Sequence, residues 1–73
     1  MNIEKVNKIG QDFLLHEDRL TRQLAYDFSR AETEAKIASL HNGLGVAIIS
    51  RSKLHGVNCD GLLDLISELK EAI

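Results

Sequence analysis

Between Gly10 and Gly43 the apolar positions recur with the period of a helix. Phe13, Leu20, Leu24, Phe28, Ala31, Ala35 and Ala38 follow at steps of seven, four, four, three, four and three, which keeps them on one face. Proline is absent from the whole chain and Asn42-Gly43 is the first natural C-terminal stop, so the pattern predicts one helix from about Gln11 to His41. At 1.5 Å per residue that helix is roughly 45 Å long. Three pairs of opposite charge at i and i+4, Asp18 with Arg22, Arg30 with Glu34 and Glu32 with Lys36, would lace its polar side, each worth about 0.3 kcal/mol.

A rod of that length needs other segments to cover its apolar face. In the tail, Leu62, Leu65, Ile66, Leu69 and Ile73 share one helix face, with Asp64, Glu68, Lys70 and Glu71 elsewhere on the wheel, and Asp60 is placed to cap the start. Between them, Val46, Ala47, Ile48 and Ile49 form a continuous apolar run that suits either a buried strand or a buried helix. A helix from about Leu44 to His55, closed by Gly56, is the better reading because a lone strand has no partner in this chain. At the head, Ile3, Val6 and Ile9 are spaced for one or two helical turns leading into Gly10. The expected fold is therefore all-α: a long helix packed in antiparallel fashion by a short central helix and a C-terminal amphipathic helix, in one domain spanning residues 1–73.

Size sharpens this picture. Seventy-three residues form one domain at most, and such a chain buries only about 60% of the surface it exposes when unfolded. Small folds compensate with disulfides, a metal, regular helix packing or a second subunit. Cys59 is the only cysteine, so no disulfide closes within the chain, and the lack of a cysteine framework points to a reducing, cytoplasmic setting. No apolar run reaches the length of a membrane span, and Met1 to Gly10 lacks the apolar core of a signal peptide.

Charge adds one local feature. Nine basic and eleven acidic side chains leave a formal charge of −2, and they are mixed along the chain. Nothing there advertises a polyanionic partner. Only Arg51 and Lys53 stand apart as a basic pair between the apolar run and the acidic tail.

Candidate chemistry is sparse. His55 and Cys59 lie four apart, with His16 and His41 elsewhere, but a structural zinc cage needs four ligands in paired spacings. A Cys-His nucleophile would need an oxyanion hole and a water-excluding pocket that a helical chain of this size rarely encloses. Gly43 and Gly45 are a turn-like fragment without the lysine and hydroxyl residue of a phosphate loop. No catalytic residue, metal or cofactor is expected. Tyr26 falls off the apolar face among polar neighbours, where an exposed ring offers contact area at low entropic cost.

What remains is a non-enzymatic protein-binding or regulatory module that works through helix faces and associates with itself. A long apolar stripe that narrows to Ala31, Ala35 and Ala38 permits close approach of another helix, and Val46 to Ile49 add apolar surface that one helical layer struggles to hide. The expected contact residues are Tyr26, Ala31, Ala35, Ala38, Val46, Ile49, Arg51 and Lys53. The alternative is a small DNA-associated regulator in which Arg51 and Lys53 join Arg19, Arg22 and Arg30, although those arginines are interleaved with acids and no recognition helix stands out.

Overall fold

In a computed structural model describing all of residues 1–73, the chain folds into four helices and no strand: α1 (Ile3–Asp12), α2 (Arg19–Arg30), α3 (Glu34–Ser52) and α4 (Asp60–Leu69). The all-α expectation holds. The helix boundaries are redrawn, because the longest dimension of the molecule is 35 Å, too short for the 45 Å rod that the stripe suggested.

The segment 11–41 is interrupted twice, each time by a side chain that captures free helix amides. Asp18 accepts the Thr21 amide and starts α2, and Thr33 Oγ1 accepts the Lys36 amide and starts α3. An oxygen-bearing side chain in extended backbone starts a helix without any glycine or proline to announce the break. The end of α2 is secured from another helix: the Asn7 side chain on α1 donates to the carbonyls of Phe28 and Ala31 at 2.8 and 2.9 Å. Asn2, in turn, caps α1 by accepting the Lys5 amide, and its own amide donates to the Ala72 carbonyl. Both ends of the chain thus meet.

The stop expected at Asn42-Gly43 does not occur. Helix α3 runs through Gly43 and Gly45 to Ser52, so the predicted central helix, 44 to 55, is the second half of α3. Two glycines cost it about 1 kcal/mol each. The chain reverses later, at Gly56, whose φ of +75° is open to glycine and strained for other residues. The start of α4 also differs from expectation. Asp60 is its first residue, not its cap, and the Asn58 side chain accepts the Asp60 amide instead.

Val6, Ile9, Ala25, Phe28, Ala31, Ile37, Leu44, Leu62, Leu65, Leu69 and Ala72 form one buried cluster drawn from all four helices. The tail reading survives in Leu62, Leu65 and Leu69, with Ile66 packed against them, whereas Ile73 remains exposed. Of the expected ion pairs none forms; Asp18 turns to Arg51 instead, and Lys8 with Asp12 is the one i to i+4 pair present.

Gly10 is a crossing point and not a breaker. A Cβ built there would stand 2.5 Å from the Ser29 amide nitrogen and 2.6 Å from the Ala25 carbonyl oxygen, so the backbones of α1 and α2 touch through the missing side chain. Gly45, by contrast, has open space where its Cβ would go. Gly10→Ala should therefore cost more than about 2 kcal/mol of unfolding free energy, from overpacking against backbone that cannot rotate away, while Gly45→Ala should add about 0.5 to 1 kcal/mol. Urea unfolding of the two variants checks this, and like signs for both would contradict the packing described.

Candidate functional site

Helix α3 has two different faces. Ile37, Leu40, Leu44, Ile48 and Arg51, at steps of three, four, four and three, turn inward: Ile37 and Leu44 are fully buried, and Leu40 and Ile48 pack against the core. On the opposite side Ala35, Ala38, Asn42, Val46, Ile49 and Lys53 follow at steps of three, four, four, three and four, and all are exposed. Val46 is 56% and Ile49 58% exposed. No Asp, Glu, Lys or Arg occurs from Ile37 through Ser50, in a chain where 27% of residues are charged. Over this interval neither side of the helix carries a formal charge, yet the fold covers only one of them.

This outer face gathers five of the eight residues singled out from the sequence: Ala35, Ala38, Val46, Ile49 and Lys53. The other three are placed elsewhere. Ala31 caps the end of α2 and is buried in the core, so it offers no surface. Arg51 points inward, where Nη1 donates to both oxygens of Asp18 at 3.1 and 3.0 Å. Tyr26 is 53% exposed on α2, with the Arg30 guanidinium over its ring at 5.8 Å. Sequence reasoning missed Ser39 and Asn42, which complete the outer face, and Leu54, 58% exposed just beyond it. The uncharged interval from Ile37 to Ser50 was the available signal.

Two hollows open on the surface. A polar groove at the corner between α2 and α3 is lined by Asp27, Arg30, Ala31, Glu32, Thr33 and Lys36, charges that largely neutralise one another. The other lies beside the start of α4 and is lined by His16, Glu17, Asp18, Asn58, Asp60, Gly61 and Asp64. It is acidic, but no three of its side chains are placed to hold one metal ion, and its best-buried carboxylate, Asp18, is already engaged. No helix is long and apolar enough to cross a membrane.

The junction behind that hollow is the most strongly polarised part of the molecule. Asp18 Oδ2 accepts from the Thr21 amide at 2.9 Å and from Thr21 Oγ1 at 2.6 Å, besides Arg51. His16 Nδ1 accepts the Asp18 amide, and the Arg22 guanidinium donates to the carbonyls of His16 and Glu17. A Cβ at Gly61 would stand 2.6 Å from both Thr21 Oγ1 and the His16 ring, so α4 seats directly on this junction. The Thr21 hydroxyl hydrogen bond, followed by the Arg51 guanidinium, holds the Asp18 carboxyl at about 2 against an ordinary 3.8. In comparison with known proteins, no family model, curated protein or solved structure matches the chain.

Because its pKa is lower folded than unfolded, Asp18 stabilises the fold fully above about pH 4 and progressively less as pH falls toward 2. With the side chain only 23% exposed, the contribution should be about 1 to 2 kcal/mol. Asp18→Asn keeps the cap but removes the charge. Its stability should fall less steeply than that of the parent between pH 5 and pH 2 in urea titrations, and parallel curves would show that Asp18 is not the group responsible.

Proposed function

We propose that this chain is a small non-enzymatic interaction module that works through the outer face of α3 and associates with itself there. The observation carrying this reading is the outer face, uncharged from Ala38 through Ile49, with Val46 and Ile49 more than half exposed on the longest helix. Leaving such a strip in water costs about 25 cal/mol per Å² of apolar surface that a partner would cover, and contiguous exposed apolar patches mark contact surfaces. A small chain with a thin stability margin gains doubly, since association adds to folding free energy. A regulatory role would follow from what the module brings together.

The DNA-associated alternative loses most of its cations. Arg51 is committed to Asp18, Arg22 to two backbone carbonyls, and Arg30 lies over Tyr26. Lys53 and Arg19 are left without such partners, a weak basis for phosphate contacts when Glu17 stands two residues before Arg19.

Light scattering over the micromolar range should give twice the chain mass at the upper end. Val46→Glu or Ile49→Lys should return the protein to the mass of one chain without loss of helical circular dichroism, because both side chains point away from the core. A parent protein that stays at one chain mass up to several hundred micromolar would refute self-association, and tight binding of duplex DNA that falls steeply with added salt would favour the alternative.

A further inference from the structure

Resting on the reading of α3 given above, we propose that two copies pair through this helix in antiparallel fashion, about a two-fold axis level with Leu44. The exposed face runs from Ala35 to Lys53, and Leu44 is its midpoint. A two-fold contact is self-complementary: whatever one half of the face presents, the other half must accept. The outer face of α3 divides in that way in both shape and charge.

In shape, the first half carries Ala35, Ala38, Ser39 and Asn42, and the second carries Val46, Ile49 and Lys53. An antiparallel dyad at Leu44 sets Val46 against the partner's Asn42 and Ile49 against the partner's Ser39, so that each bulky side chain enters a shallow stretch of the other helix. Gly43 and Gly45 flank the axis with no side chain and with open space where a Cβ would stand, which leaves room for a second backbone beside the crossing point. A parallel pair would instead stack Val46 on the partner's Val46 and Ile49 on the partner's Ile49 at one end, holding the alanines apart at the other.

In charge, α3 starts with Glu34 just after Glu32 and is followed at its C-terminal cap by Lys53, while the stretch between Lys36 and Arg51 has no charged side chain. Antiparallel pairing brings Lys53 beside Ala35 of the partner subunit, within reach of the partner's Glu34. The two helix dipoles also oppose one another. Parallel pairing would place like charges together at both ends, which disfavours it. The strip is about 28 Å long and about 10 Å wide, about 280 Å² per copy, well short of the about 800 Å² per partner of a standard interface, so the pair should be a weak, transient one populated only at hundreds of micromolar.

Spin-label distances distinguish the arrangements, using Cys59→Ser chains that carry one new cysteine off the contact face, at Lys36→Cys or separately at Ser52→Cys. With sixteen residues between symmetry mates along the axis, an antiparallel pair should give about 25 to 30 Å between labels at either position. A distance under about 20 Å at both positions would overturn the antiparallel arrangement while leaving self-association intact. Absence of any dipolar coupling at several hundred micromolar, from chains with parental circular dichroism, would overturn self-association itself. As a second measurement, Lys53→Glu should weaken the dimer about tenfold, and adding Glu34→Lys to it should restore most of that loss. An unchanged dimer in Lys53→Glu would overturn the charge pairing.

Discussion

The Asp18 carboxylate takes the Thr21 amide and hydroxyl on one oxygen and the Arg51 guanidinium on both, so a single group fixes the start of α2 against the last turn of α3. Helix α4 then seats on the same spot, its Gly61 close against Thr21 and His16. Partial burial makes each of these contacts stronger than it would be in open water, and charged hydrogen bonds are the strong ones. Removing one partner would leave the others short of solvent and short of a counter-charge, which is why such a junction matters more than its few atoms suggest.

That junction also decides what α3 can offer. Arg51 continues the inward stripe of Ile37, Leu40, Leu44 and Ile48, whose burial sets the rotation of the helix, and its pairing with Asp18 holds the last turn in that rotation, with Val46 and Ile49 facing outward. Helices α2 and α4 pack on the inner side of α3. The outer side of α3 is thus left uncovered by the other three helices. The same rotation takes Arg51 out of any phosphate-binding surface.

Glycine carries two distinct duties here. Gly10 and Gly61 allow close approach, of α1 to α2 and of α4 to the Asp18 junction. Gly56 supplies the positive φ that lets the chain turn back into α4. Gly43 and Gly45 do neither within one chain: they sit in a regular helix with open space beside them, where alanine would make a better helix.

The sequence by itself determined the all-helical class, the amphipathic tail, the core roles of Phe28 and Leu65, and the apolar excess around Val46 to Ile49, because periodicity is a local property that needs no tertiary partner. It misplaced the helix boundaries, since the stripe from Phe13 to Ala38 keeps helical spacing across two breaks that no glycine or proline marks. The caps at Asp18 and Thr33 were legible as residue types, but whether either would end one helix and start another depended on what the preceding helix packs against. Tertiary structure alone decided that Ala31 is core, that Asp18 pairs with Arg51 and not with Arg22, and that one face of α3 stays open. Those outcomes depend on contacts between residues about thirty positions apart in sequence, such as Asp18 with Arg51 and Asn7 with Ala31, and no local pattern encodes which distant side chain will be there to make them.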